Sequence, residues 1–184
     1  MASEPPSAGT RLTGWLGRFT AHGDPLVAAG NRLALIVASN QPFYPVYVGL
    51  IAGAEAAWRS AIVLVAVPFF VAVPLLGRRA PVLGRALLPI TGIANTLISV
   101  RALGSDVGLD VLLVPCAAIA ALLFRARERV AMLGVVGLAA LAWLLADMAP
   151  AGIVNAEAAA GLRRMNAISA IALCGLLGWL VPRR

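Results

Sequence analysis

Six apolar runs follow one another along the chain, each close to the length that crosses a bilayer and separated by short connections. A helix needs roughly 20 apolar residues to span the hydrocarbon core, with a working range of about 17 to 25. The runs cover residues 33–54, 58–76, 86–103, 110–124, 130–148 and 162–181, the fourth being slightly short. Of the 184 residues 61% are hydrophobic and only 12% charged, against roughly a quarter charged in a soluble domain. That leaves too little polar surface to face water, so lipid is the solvent that this chain requires.

Charge in the connections predicts the orientation. All fifteen basic residues are Arg, and eleven fall on one side of an alternating topology: Arg11, Arg18, Arg32, Arg78, Arg79, Arg85, Arg125, Arg127, Arg129, Arg183 and Arg184. Four fall on the other side, namely Arg59, Arg101, Arg163 and Arg164. The positive-inside rule makes the first side cytoplasmic. The acidic residues lean the opposite way, with Glu55, Asp106, Asp110, Asp147 and Glu157 outside. An odd number of spans would break this alternation. The expected fold is therefore an all-α integral membrane bundle of six transmembrane helices, residues 33–182, with N- and C-termini cytoplasmic. Short connections make consecutive helices antiparallel neighbours and leave no room for a soluble domain between them.

Residues 1–32 form a cytoplasmic segment without the basic start, apolar core and small-residue cleavage site of a signal peptide. Within it Leu12, Trp15, Leu16 and Phe19 recur at helical spacing, with Thr10 placed to cap and Arg11 and Arg18 flanking. Two readings stay open here: an amphipathic helix on the bilayer surface and an irregular tail. The net charge of +7 does not point to nucleic acid, because the Arg residues sit in loops between apolar runs and form no basic face with aromatic or polar readers. Cys116 and Cys174 lie inside apolar runs and read as small packing residues. One histidine, His22, excludes a multi-histidine metal site, and nothing in the chain calls for a cofactor.

Polar and helix-breaking residues inside the membrane each need an explanation, since an unsatisfied polar group is costly in hydrocarbon. The first span carries Ser39-Asn40-Gln41-Pro42-Phe43-Tyr44-Pro45. Pro42 and Pro45 remove backbone donors and disfavour helix before them, so a kink or a short unwound stretch is expected. Asn40, Gln41 and Tyr44 then belong either to a midplane ligand site or to a proline kink whose neighbours merely satisfy the backbone. In the third span Thr91, Asn95 and Ser99 lie four apart on one face, with Thr96 beside them. Asn95 is expected to meet Asn40 or Gln41 at similar depth, as interhelical glue or as half of a polar cavity. Towards the outer face Arg101, Asp106, Asp110 and Asp147 form either a charged vestibule or an ordinary solvated rim, with Arg101 and Asp147 free to snorkel or to pair.

Several chemistries have no motif here: no phosphate-binding glycine loop, no zinc-type His/Glu spacing and no G-x-S-x-G elbow. No charged residue lies at the centre of a span, as a proton pump or voltage sensor requires. The Gly104-Ser105-Asp106-Val107-Gly108 turn, the helix end Phe124-Arg125-Ala126-Arg127-Glu128-Arg129 and the opening Arg163-Arg164-Met165-Asn166 of the last span resemble a known layout. It is that of the six-helix membrane anchor and sensor regions of bacterial class III adenylate/guanylate cyclases and some histidine kinases. The resemblance implies a sensor or anchor in the bacterial inner membrane. Those proteins continue into an output domain, which this chain does not carry, so cyclase or kinase activity is not expected of it. The reading is a non-enzymatic multi-pass protein that works through other membrane proteins or a homo-oligomer. The alternative is a small solute transporter or channel subunit with a polar path between the first and third helices.

Overall fold

Every apolar run is helical, and most of the helices begin earlier than hydropathy places them. The structure, a computed structural model, describes residue 14 and residues 16–182. Its helices are α1 (Pro25–Ala52), α2 (Ala54–Arg79), α3 (Pro81–Leu103), α4 (Leu109–Leu123), α5 (Ala126–Asp147) and α6 (Ala156–Leu180). No strand occurs among the described residues. Five helices are long and apolar enough to cross a membrane, and α4 is a shorter apolar one. The start of α1 lies eight residues before the predicted position because Asp24 caps it and Pro25 occupies the first helical position, where a missing N–H costs nothing. Residues 25–32, expected to precede the first span, are thus part of the same helix. Of the expected surface helix, Thr10, Arg11, Leu12 and Trp15 lie outside the described residues, while residues 16–20 are helical. Arg183 and Arg184 lie outside them too.

Apolar side chains do not attract one another more than they attract lipid tails, so helices in a bilayer associate through close packing and internal hydrogen bonds. Glycine supplies the close approach where α2 meets α3: a Cβ on Gly84 would come within 2.6 Å of the Gly77 backbone. The third helix packs against α1, α2, α4 and α5, and α4 against α1, α3, α5 and α6. This interior position accounts for the short α4. With its first turn wound as a 3₁₀-helix it is only about 24 Å long, against a hydrocarbon core of roughly 30 Å. Leu113, Cys116, Ile119, Ala120 and Leu123 are buried along it, while Val114 and Leu122 are exposed.

A network of charges closes the Arg-rich end. Arg85, near the start of α3, is only 2% exposed. Its Nη1 donates to the Leu123 carbonyl at 2.6 Å, its Nη2 to Glu128 Oε1 at 2.8 Å and its Nε to the Pro81 carbonyl at 3.2 Å. The guanidinium also lies 5.8 Å from the Phe124 ring centre. Glu128 Oε2 accepts from the Arg125 backbone N–H at 2.8 Å, and Arg125 Nη2 donates to Asp24 Oδ2 at 2.9 Å. Asp24 Oδ1 accepts from the Leu26 N–H at 2.9 Å. One chain of ionic hydrogen bonds thus ties the first turn of α1, the start of α3 and the connection from α4 to α5. Burial pushes the Asp24 carboxyl up. The Leu26 N–H and the Arg125 and Arg85 guanidiniums outweigh that effect and hold it below the ordinary 3.8.

The opposite end is closed without charge pairing. Gly104 has φ +105 and Gly108 φ +68, backbone that other residues rarely adopt. The turn between them folds onto the connection before α6. Gly152 donates its N–H to Asp106 Oδ1 at 2.8 Å, and Ser105 donates its N–H to the Pro150 carbonyl at 3.2 Å and its Oγ to the Ala149 carbonyl at 3.1 Å. A Cβ on Gly104 would lie 2.1 Å from the Gly152 backbone, so glycine is required on both sides of this contact.

Two outcomes are expected. Arg85→Met leaves Glu128 without its buried cation and should lower stability by about 3–5 kcal/mol. Arg59→Met, which breaks the exposed pair with Glu55, should change it by less than about 0.5 kcal/mol; thermal melts in detergent compare the two. Asp24→Asn keeps the cap but removes the charge. Because the folded-state pKa is depressed, the charge stabilises above pH 3.8 and its contribution fades as pH falls through the lower folded-state value. The parent should therefore melt above the variant at neutral pH, and the two should converge in acid.

Candidate functional site

The proline pair in α1 produces a tightened turn, not a break. Gln41–Phe43 form a single 3₁₀ turn inside the helix, in which the Gln41 N–H still reaches the Val37 carbonyl and the Tyr44 N–H reaches Gln41. Pro42 and Pro45 have no N–H to give, so an i→i+3 turn is what remains compatible with a continuous helix. The helix neither re-enters nor unwinds. A cavity of about 440 Å³ opens beside this turn, lined mainly by α1, α3 and α6, with Val63 of α2 and Leu109 and Leu112 of α4.

Four of the five predicted ligand residues meet at this cavity: Asn40, Gln41 and Tyr44 from α1 and Asn95 from α3. Thr91 does not. It is buried one turn nearer the Arg-rich end and lies outside the lining. The expected hydrogen bond from Asn95 to Asn40 or Gln41 does not form either. Among the described residues none of these three amides has a side-chain partner, and they line the cavity instead of bridging it. Ser99 and Thr96 also line the cavity, and Ser99 donates its Oγ within its own helix, to the Asn95 carbonyl one turn back at 2.7 Å.

The sixth helix completes the site with a residue that the spacing of polar side chains in α1 and α3 did not bring forward. Asn166 is fully buried. Its Nδ2 donates to the Val107 carbonyl at 2.9 Å, while its Oδ1 lies 3.4 Å from the Tyr44 hydroxyl, which donates to it. An amide near the start of the sixth apolar run, just after Arg163 and Arg164, was the available signal. Asn166 holds the glycine turn to α6, and Tyr44 in turn leans on Asn166. Asn40, Gln41 and Asn95 keep their full donor and acceptor capacity, two N–H donors and one carbonyl each.

The predicted outer group does not assemble. Arg101 and Asp147 are both exposed and form no pair; the described ion pairs are Arg59–Glu55, Arg85–Glu128 and Arg125–Asp24. Exposure at helix ends lets water satisfy them. Asp106 is taken up by the Gly152 N–H, and Asp110 is half-buried at the start of α4. No cluster of three or more metal-ligating side chains occurs among the described residues.

The two kinds of amide should respond differently to mutation. Asn166→Leu strands the buried Val107 carbonyl and should cost on the order of 1 kcal/mol, near the upper range for hydrogen bonds between membrane helices. Asn95→Leu removes no hydrogen bond and should leave the melting temperature unchanged or slightly raised. A large loss of stability in the second variant would mean that Asn95 is glue after all.

Comparison with curated proteins and with solved structures gives no match. A comparison with protein families matches MASE7, a membrane-associated sensor domain family, over residues 30–179. That stretch runs from the first turns of α1 to the end of α6 and includes the cavity with its three unpartnered amides; the chain belongs to the MASE7 family.

Proposed function

We propose that this chain is a non-enzymatic membrane sensor domain that reads a small molecule in the α1–α3–α6 cavity and reports it to partner proteins. The observation that carries the reading is the set of three amides, Asn40, Gln41 and Asn95, held around a cavity of about 440 Å³ without partners among the described residues. Leaving such groups unsatisfied in a bilayer is costly, and an occupant that bonds them removes that cost. The volume falls within the range of small-molecule sites.

The domain crosses the bacterial inner membrane six times with both ends cytoplasmic. The Arg skew across the connections supports this orientation, and the interior setting of α4 supports counting it as a span. The cavity and the Arg-rich end are joined by α1 itself. Ligand bonds at Asn40 and Gln41 act on the 3₁₀ turn, and the segment below it ends at Asp24, held by Arg125. A two-state shift of that segment biased by the ligand is how such a domain signals. The likeness to cyclase and kinase anchor regions accords with a role of this kind.

Topology is tested by single cysteines placed in a Cys116→Ser/Cys174→Ser background at positions 54, 80, 126 and 151. A membrane-impermeant maleimide added to intact cells should label 54 and 151 only. Labelling of 80 and 151 together would rule out six spans. For sensing, protein isolated from native membranes should carry a small molecule that Asn40→Leu/Asn95→Leu loses while a partner is retained. Solute flux through the parent protein in proteoliposomes would replace the sensor reading with a transporter.

A further inference from the structure

The cavity has walls, a mouth and two closed ends, and together they constrain what it holds. None of its eighteen lining residues is Asp, Glu, Lys, Arg or His. Half of the lining is polar but uncharged, so a charged occupant would sit there without a counter-charge, at a penalty of several kcal/mol. A cation held by neutral oxygens needs them converging at about 2.0–2.6 Å, whereas the cavity encloses about 440 Å³, the volume of an organic molecule.

Both ends of the cavity are plugged by apolar side chains. On the Arg-rich side Leu33, Ala34 and Leu177 are at most 2% exposed. On the other side Val48, Leu103 and Leu162 are fully buried, and the Tyr44–Asn166–Val107 hydrogen bonds cross above the cavity. The sides differ. Ile36 is 41% and Phe43 54% exposed, and Ser39, Asn40 and, on α6, Ala172 are exposed as well. These positions lie mid-length on helices that face lipid, so the mouth opens to the acyl-chain region. Ile36, Val37, Leu173 and Leu176 line the cavity towards its Arg-rich side and offer an apolar wall beside the amides.

We infer that the occupant is an electrically neutral amphiphile, with a carbonyl or hydroxyl head and an apolar tail, that enters sideways from the bilayer. The head bonds Asn40, Gln41 and Asn95, and the tail lies against Ile36, Val37, Leu173 and Leu176. This rests on the sensor reading above and narrows it to one chemical class. A quinone, a long-chain alcohol and a neutral glyceride share that chemistry.

The test uses the full chain in lipid nanodiscs and probes of matched tail length: 2-undecanone, 1-decanol and a decyl quinone as neutral heads, decanoate and decyltrimethylammonium as charged ones, and propanamide as a water-soluble amide without a tail. The expected result is a saturable rise of several degrees in melting temperature with neutral probes at about 100-fold above Kd, and at least tenfold weaker binding of both charged probes. The relative affinities of the decyl quinone and 1-decanol separate a quinone from a long-chain alcohol, and 1-decanoylglycerol added to the set tests the glyceride. Asn40→Leu/Asn95→Leu should abolish the shift. Ala172→Phe, which narrows the mouth without touching a hydrogen bond, should weaken binding even if the double variant fails to fold. Charged probes binding as well as neutral ones would overturn neutrality and leave the sensor site standing. Binding of propanamide alone would overturn lateral entry. A shift that persists in both variants would place the amphiphile elsewhere. No binding by any probe would remove the cavity as a site and the sensor reading with it.

Discussion

A guanidinium that is 2% exposed must have its donors satisfied locally, and around Arg85 that requirement organises the whole Arg-rich end. Three of its nitrogens reach acceptors in three different places: its own helix at Pro81, the last turn of α4 at Leu123 and the first turn of α5 at Glu128. The Leu123 carbonyl is one of the groups that a helix C-terminus leaves unbonded, so the cation completes α4 as well as placing it. Glu128 then orients Arg125, and Arg125 holds Asp24. Every helix start or end at this side except those of α2 and α6 is fixed by that sequence of bonds. A structure held in this way is sensitive to any force along α1, because the last member of the network is the cap of that helix.

The rest of the molecule divides its polar groups into two kinds. Ser99, Asn166, Tyr44, Ser105 and Asp106 are taken up by backbone carbonyls, backbone N–H groups or each other. All but Ser99, which bonds within its own helix, fasten the turn at residues 104–108 to its surroundings. Asn40, Gln41 and Asn95 are not used in this way, and they lie together on the cavity wall. Glue and cavity were alternatives for the same row of residues in α3. Asn95 and Ser99 both line the cavity, Ser99 with its hydroxyl bonded to its own helix, while Thr91 lies outside the lining. A membrane-associated sensor family is a natural setting for a buried site whose mouth faces lipid, since the molecules that reach such a mouth are those dissolved in the bilayer.

Much of this was legible in the residues themselves. The apolar runs announced helices because hydrocarbon offers no alternative partner for backbone N–H and C=O groups. The Pro42 and Pro45 pair announced a distortion at a specific place, and a 3₁₀ turn is found there. Gly104 and Gly108 marked a turn that only glycine can make. Less was legible wherever rotation about a helix axis decided the outcome. Arg85 was one cytoplasmic charge among eleven, and Asn166 was one amide in a long apolar run. Asn95 does not bond Asn40 or Gln41, and of the two alternatives for Arg101 and Asp147 pairing is not the one taken, because depth along the membrane does not determine which way a side chain points.

Membrane residence, helical structure, the Arg-weighted side and the distorted turn in α1 were determined by the sequence alone, through local rules of hydropathy, charge and backbone chemistry. Tertiary structure decided that α4 is interior, that Arg85 alone among the described arginines is buried, and that three amides share a cavity instead of bonding one another. The physical reason is that a bilayer fixes only how deep a residue lies. Which residues meet at that depth depends on how six helices rotate and pack, and glycine contacts such as Gly77 with Gly84 and Gly104 with Gly152 set that packing from positions far apart in the chain.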